Sequence, residues 1–134
     1  MTLQENYLPI CNELAGFIDH TLLKPDATPR DITELCNQAK EFGFKTVCVN
    51  PCYTKLASKE LSGSGVQVCT VIGFPLGADS PALKAAEAGI AVQSGSSEVD
   101  VVMNLGFFKG GLLSRVRDDL AAVVMVVRNE NPKV

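Results

Sequence analysis

One carboxylate stands in the middle of an apolar stretch of the sequence, residues 97–104 (SEVDVVMN). The stretch is rich in β-branched residues, which favours a strand. Because its apolar residues follow one another, the strand is expected to be covered on both faces, as in a parallel sheet flanked by helices. Asp100 would then be a buried acid, either paired for structural reasons or used in proton transfer. The pattern alone leaves both interpretations open.

Helix and strand signals alternate around this acid. Proline follows a potential N-cap residue three times, at Thr28, Asn50 and Ser80, which predicts three helix starts. The glycines at 106, 110 and 111 predict a flexible connection. The predicted strands are 17–19, 46–49, 66–72 and 97–104, and the predicted helices are 4–15, 29–42, 51–61, 82–94 and 113–128.

The spacing of these elements indicates the fold class. The strand starts are separated by about 20 to 32 residues, the length of βα units with short connections. We therefore predict an α/β protein with about four βα units behind a leading N-terminal helix, curled as in part of a (β/α)8 TIM barrel. A doubly wound open sheet is the alternative. In a barrel, the residues that act lie at the carboxyl ends of the strands: 19–24, 48–51, 70–77 and 100–104.

Composition excludes several classes of protein and partner. With 134 residues, 46% hydrophobic and 20% charged, the chain has the composition of an ordinary globular protein. A net charge of -3 gives no reason to expect nucleic acid or an anionic membrane as a partner. No run reaches membrane-spanning length and no secretion signal is apparent, so a cytoplasmic location is expected.

The five cysteines form no C-x-x-C pair. Reduced thiols packed as small apolar side chains are therefore expected. The segment 48–52 (CVNPC) is a weak indication of a metal or redox site. The loop 73–77 (GFPLG) has neither the spacing of a P-loop nor that of a dinucleotide-binding motif. No metal or cofactor is predicted.

Four segments together resemble one enzyme family. Residues 18–25 (IDHTLLKP), 44–51 (FKTVCVNP), 68–77 (VCTVIGFPLG) and 98–102 (EVDVV) resemble deoxyribose-phosphate aldolase, in the family's order. The resemblance runs from about Phe17 to the last residue. It implies a class I aldolase that reversibly cleaves 2-deoxy-D-ribose 5-phosphate to glyceraldehyde 3-phosphate and acetaldehyde through a lysine Schiff base, without a metal. It also implies that residues 1–134 form a single, incomplete TIM-barrel domain.

The same resemblance implies roles for individual residues. Asp100 matches the family's proton-relay aspartate, which acts as general acid and base during carbinolamine dehydration and enamine formation. His20 lies in a matching motif, but a structural role is expected for it. The expected substrate-binding residues are Asp19, Thr21 and Cys48, with Asn50 and Thr70 as further candidates.

One departure from the family pattern limits these expectations. The imine-forming lysine of the family lies on the sixth strand, in a segment like V-K-T-S-T, whereas this chain ends where the fifth strand would begin. The second lysine, which lowers the nucleophile's pKa, and the usual phosphate-binding loops are absent as well. Lys24 and Lys109 are expected near the rim, but solvated loop lysines are poor substitutes. We therefore expect the isolated chain to be inactive or nearly so.

Two further hypotheses remain for such a chain. It could be an inactive half-barrel that acts as an interaction or regulatory partner, or a truncated fragment. Open sheet edges near Ile18 and Val101 would favour association, so a homo-oligomer is expected. If the resemblance holds, the small-molecule partner is a phosphorylated aldehyde or sugar.

Overall fold

The computed structural model describes residues 13–134. Four strands are present in this part of the chain: β1 (Asp19–Leu22), β2 (Thr46–Val49), β3 (Gln67–Ile72) and β4 (Glu98–Val101). The helices are α1 (Pro29–Phe42), α2 (Thr54–Glu60), α3 (Pro81–Gln93), α4 (Leu105–Lys109) and α5 (Leu113–Glu130), with a 3₁₀ turn at Pro51–Tyr53 before α2.

The four strands form one parallel sheet in the order β1-β2-β3-β4. Strand order therefore follows chain order, without the reversal that defines a doubly wound sheet. The register aligns Thr21 with Cys48, Cys48 with Cys69, and Cys69 with Glu98. This arrangement confirms the predicted α/β class and the partial barrel.

Capping residues fix the boundaries of α1 as predicted. The Thr28 hydroxyl accepts from the amide of Asp31 at 3.3 Å, and the Asp31 carboxylate accepts from the amide of Thr28 at 2.8 Å. Gly43 ends the helix with φ 67°, a left-handed conformation that suits glycine. The spacing of the apolar residues in this helix predicts one buried face, made of Ile32, Leu35, Cys36, Ala39 and Phe42. All of these are buried except Phe42, which is 57% exposed.

Apolar residues of the sheet pack against the helices in two clusters. The first is centred on Val47 and Val49 of β2 and includes Ile32, Leu35, Cys36, Ala39, Ala57, Leu61 and Val68. The second joins Ile72 of β3 to Ala88, Ala91, Val123 and Val127. Side chains alternate along a strand, so these strand residues mark the helix-facing side of the sheet. The intervening strand residues face the other, concave side.

Four element predictions need correction. The first strand begins at Asp19 and continues to Leu22, instead of covering 17–19. The last strand is only Glu98–Val101, and its residues are partly exposed because β4 is an edge strand of the described sheet. The glycine-containing connection folds into α4, where the Asn104 side chain caps the amide of Phe107 at 3.0 Å. For α5, the spacing of the apolar residues predicts one face made of Leu120, Val123, Val124 and Val127. Val124 is exposed instead, and the buried positions are Val116, Asp119, Val123 and Val127.

The predicted leading helix, 4–15, lies mostly outside the described residues, of which 13–15 are helical. All the cysteines in the described part carry free thiols: Cys36, Cys48, Cys52 and Cys69. Within residues 13–134, no helix combines the length and apolar character needed to cross a membrane.

Candidate active site on the concave face

Polar side chains of β1 and β2 interact on the concave side of the sheet. The Thr46 hydroxyl donates to the Asp19 carboxylate at 2.7 Å, and the Thr21 hydroxyl donates to the carbonyl of Asp19 at 2.8 Å. Asp19 and Thr21 are both exposed on this face. The candidate pocket residues of β1 are therefore ordered by hydrogen bonds and still accessible.

A second group lies further across the same face. One side-chain ligand atom from each of Cys48, Cys69 and Asp100 lies within 4.8 Å of the other two. The two cysteines are paired in the strand register and are buried, at 3% and 1% exposure. Asp100 is paired with Val71 on β4. The concave face thus brings an acid beside a pair of thiols.

Asp100 itself differs from the sequence expectation, because its side chain is exposed. No described element covers β4 on the concave side, so the carboxylate keeps contact with solvent. The prediction of a buried acid is wrong for this chain, and with it the argument that burial forces Asp100 into a functional role. A catalytic role for Asp100 rests instead on its neighbours and on the relatives described below.

The pKa values of the two thiols are shifted in opposite directions. A hydrogen bond from the Cys69 thiol lowers the pKa of Cys48, with burial acting in the opposite direction. The same hydrogen bond, together with burial, raises the pKa of Cys69 far above its usual value. Cys48 is therefore the thiol that ionises more readily.

The other two candidates lie away from this group. Thr70 is fully buried on the helix-facing side, where its hydroxyl donates to the carbonyl of Val49 at 2.7 Å. Asn50 follows β2 at the carboxyl edge and donates to the carbonyl of Lys24 at 3.5 Å. The structure thus groups Asp19, Thr21, Cys48 and Asp100 on one face and separates Thr70 from them.

His20 occupies the helix-facing side, as its expected structural role requires. Its Nε2 lies 2.9 Å from Oε1 of Gln38, and its ring packs on Phe44 with centroids 4.9 Å apart. These contacts engage Nε2 and the ring of His20 on the side of the sheet that faces the helices.

A buried ion pair that the sequence analysis did not predict stabilises the segment that follows β4. Lys84 of α3 donates to the Asp119 carboxylate of α5 at 2.6 Å and to the carbonyl of Val102 at 2.9 Å. Both charged side chains are at most 1% exposed. The same carboxylate oxygen accepts from the amide of Asn104 at 3.3 Å. Two helices are thereby tied to the segment that directly follows Asp100.

The sequence does contain a signal for this pair. Asp119 lies three residues after Val116 and four before Val123, on the apolar stripe of α5. Lys84 lies among the buried residues of α3, one residue before Ala85 and four before Ala88. One acid and one base, each on a buried helix face, could have been predicted to pair.

Together, the parallel sheet and the helices that cover one side of it define part of a (β/α) barrel, with polar side chains on the open side. No family model matches the chain. Curated relatives do: deoxyribose-phosphate aldolase of Carboxydothermus hydrogenoformans is 52% identical over 122 residues, covering 91% of this chain and 54% of the relative. The enzyme of Clostridium novyi is 50% identical over 117 residues, covering 87% of this chain and 53% of the relative.

Solved structures agree with these relatives. The tetrameric deoxyribose phosphate aldolase of Aeropyrum pernix superimposes with a TM-score of 0.82 at 33% identity, covering 93% of this chain and 52% of that chain. The chain thus spans about half the length of the proteins that it matches. By sequence and by fold, it matches the N-terminal half of deoxyribose-phosphate aldolases, which confirms the resemblance of its motifs.

Proposed function

We propose that this chain provides the acid-bearing half of a class I aldolase, an aldehyde-lyase that acts on 2-deoxy-D-ribose 5-phosphate through a Schiff base. The observation that carries the proposal is the grouping of Asp100 with Cys48, Asp19 and Thr21 on one concave face. The chain presents this grouping in a sequence about half identical to aldolases. Asp100 is the catalytic residue in this proposal, and the other three bind substrate.

The reaction explains why a carboxylate is needed on this face. Loss of water from a carbinolamine and formation of an enamine each require a proton to move. Asp100 can accept and return that proton directly or through one water molecule, since its side chain is accessible from the concave side. The neighbouring thiols and hydroxyls give the aldehyde carbon chain a surface that combines apolar and polar groups.

Neither lysine described beside β4 is suited to be the amine: Glu98 binds Lys45 at 2.6 Å and raises its pKa. Lys84 is the buried lysine nearest to β4, but Asp119 and the carbonyl of Val102 already bind its ammonium group. A lysine nucleophile must be partly neutral, and a close carboxylate favours its charged form. Lys84 is therefore structural, and the imine-forming lysine has to come from further barrel strands.

A groove along β4 supports the addition of such strands. It has a volume of about 370 Å³ and lies between β4 and α5, lined by Val99, Val101, Val123 and Val127 together with Asp100. The next strand of a barrel would pair with β4 here and cover these side chains. Whether the further strands are part of the same polypeptide or of a second chain, the strand after this one, the sixth of the barrel, would have to place its lysine within reach of Asp100.

Association through the open strand edges is a further part of the proposal. Among the described strands, β1 and β4 are the edges, and their unpaired backbone groups favour pairing with another chain. The tetramer formed by the Aeropyrum pernix enzyme shows that a protein of this fold can assemble. We also propose a cytoplasmic location, which the free thiols of the described cysteines support. An inactive regulatory half-barrel is less well supported, since the concave face retains its candidate site residues.

A chimeric enzyme tests the proposed function. Residues 1–134 are fused to the part of the Carboxydothermus hydrogenoformans aldolase that lies beyond the matched region, and cleavage of 2-deoxy-D-ribose 5-phosphate is measured. Asp100→Asn should reduce kcat by about 10²-fold to 10⁴-fold, because it removes the proton carrier. The circular dichroism spectrum should not change, because Asp100 is exposed.

Glu98→Gln is the matched control for this experiment. Glu98 lies two residues earlier on the same strand, where it is aligned with Cys69 and its carboxylate is held by Lys45 at 2.6 Å. Its variant should keep kcat within about threefold, since exposed ion pairs contribute little. Equal kcat values for the Asp100→Asn variant and the unmodified chimera would refute the catalytic role of Asp100.

A further inference from the structure

The sheet register places three metal-ligand side chains together, although their positions are far apart in the sequence. Cys48 and Cys69 are direct partners on neighbouring strands, and Asp100 reaches them from β4. One ligand atom from each lies within 4.8 Å of the others. Because three paired strands hold the Cα atoms, only side-chain rotations are needed to bring the three groups onto one centre.

We propose that Cys48, Cys69 and Asp100 form a binding site for a thiophilic divalent cation such as Zn²⁺ or Cd²⁺. Two sulfurs bound to one tetrahedral zinc lie about 3.8 Å apart, given Zn–S bonds of about 2.3 Å. The observed limit of 4.8 Å therefore leaves a contraction of about 1 Å or less. The site offers two thiolates and one carboxylate, and water or a small ligand completes a tetrahedral shell.

The ligand types decide which cations fit. Hard cations such as Mg²⁺ and Ca²⁺ require a set of oxygen ligands, and this group supplies only one carboxylate. Thiolate pairs instead favour zinc and its heavier relatives. Binding replaces the two thiol protons with one cation and releases both protons to water, so that no oxidant or reductant is needed.

The exposed side chain of Asp100 gives a cation access to the site. Asp100 is exposed on the open concave face, whereas the two thiols lie behind it at 3% and 1% exposure. A cation can therefore meet the carboxylate first and then the sulfurs. The remaining described cysteines are not part of the group: Cys36 belongs to the helix-facing core, and Cys52 is exposed beyond β2. The sequence segment 48–52 thus contributes only its first cysteine.

Binding would have a consequence for the proposed reaction, and this consequence alone rests on the proposed function. A cation held by Asp100 occupies the oxygens that carry the proton, and it blocks the space in front of Cys48. Cation binding would then inhibit the proposed aldolase reaction. Cation binding itself is independent of any catalytic role.

Cadmium titration of the 134-residue chain tests the site without an activity measurement. A Cys11→Ser/Cys52→Ser background removes two other thiols, and the sulfur-to-cadmium charge-transfer absorption in the ultraviolet is followed. One cadmium per chain should bind. Cys69→Ser in this background should lower the affinity at least about 100-fold, because a direct ligand matters more than an outer-shell partner. Asp100→Asn should also weaken binding, by about tenfold or more.

Two comparisons keep the result decisive. Restoring Cys52 to the background should leave the affinity unchanged, and circular dichroism establishes that each variant is folded. If Cys69→Ser fails to fold, the exposed Asp100→Asn variant still tests the site. Absence of the charge-transfer band, or equal affinity in the background and Asp100→Asn, would overturn the proposal. The two proposals can fail independently. If the chain does not bind cadmium but the chimera is active, only the metal site is refuted. If the chain binds cadmium but the chimera is inactive, only the proposed function is refuted.

Discussion

Replacing Lys84 with methionine should destabilise the chain more than any comparable change of a surface charge. The substitution keeps an unbranched side chain of similar length but removes the ammonium group. Asp119 would then be a charge at 1% exposure without its cation, and the carbonyl of Val102 would lose its donor. Breaking a buried pair in this way costs about 3 to 5 kcal/mol.

The structure offers a control ion pair with the same distance between charged atoms and different burial. Lys45 and Glu98 also lie 2.6 Å apart, but their side chains are 45% and 33% exposed. Lys45→Met should therefore change the urea midpoint much less than Lys84→Met, because water replaces the lost partner. Both variants are compared by urea unfolding at pH 7, followed by circular dichroism.

A double variant separates the cost of the unpaired charge from the value of the pair. Lys84→Met/Asp119→Leu removes both charges and leaves no buried ion behind. It should be more stable than Lys84→Met alone, even though it carries one more substitution. Equal unfolding midpoints for Lys84→Met and Lys45→Met would refute the reasoning, because burial would then have no effect on the energy of the pair.

Four smaller predictions concern the cap of α1, its acid dependence, two glycines and the strand edges. Thr28→Ala should destabilise the chain by about 1 kcal/mol in urea unfolding, because α1 loses its N-cap. Hydrogen bonds from Thr28 lower the pKa of the Asp31 carboxyl below 3.8, so their contribution to stability is complete above pH 3.8 and lost as the pH falls through the folded value. Asp31→Asn should remove this acid dependence, and a parallel pH profile in the variant would contradict it. Gly77→Ala should lower the melting temperature more than Gly43→Ala: both glycines have positive φ, but a Cβ at Gly77 meets the carbonyl of Met103 and one at Gly43 meets open space. The reverse order would show that the close approach to Met103 is not a constraint. Light scattering should detect association through the strand edges, and a well-dispersed monomer would argue against it.

Local signals in the sequence predicted the helices and the topology well. The Thr28–Pro29 start and the Gly43 stop of α1 depend on hydrogen bonds within a few residues, so that sequence spacing determines them. The regular interval between strands likewise predicted a parallel sheet, although it left the strand order open between a barrel and a doubly wound sheet. What could be predicted was therefore the part of the fold that neighbouring residues specify.

Contacts between residues far apart in the sequence determine the features that were not predicted. The burial of Asp100 depends on which element covers β4, and its apolar neighbours carry no information about that. The hydroxyl of Thr70 faces the helices because of strand alternation relative to Cys69, although its motif suggested a pocket residue. The thiol pair of Cys48 and Cys69 exists only in the strand register. These features arise from tertiary pairing, which spacing along one chain does not encode.

Borohydride trapping tests the central claim, that this half of the barrel carries the acid but not the amine. Acetaldehyde and sodium borohydride are added to the 134-residue chain and to the chimera, and labelled lysines are located by mass spectrometry. The account predicts no adduct on the chain alone and one adduct on the chimera, in the part contributed by the relative. A stable adduct on Lys24, Lys109 or any other lysine of residues 1–134 would contradict it.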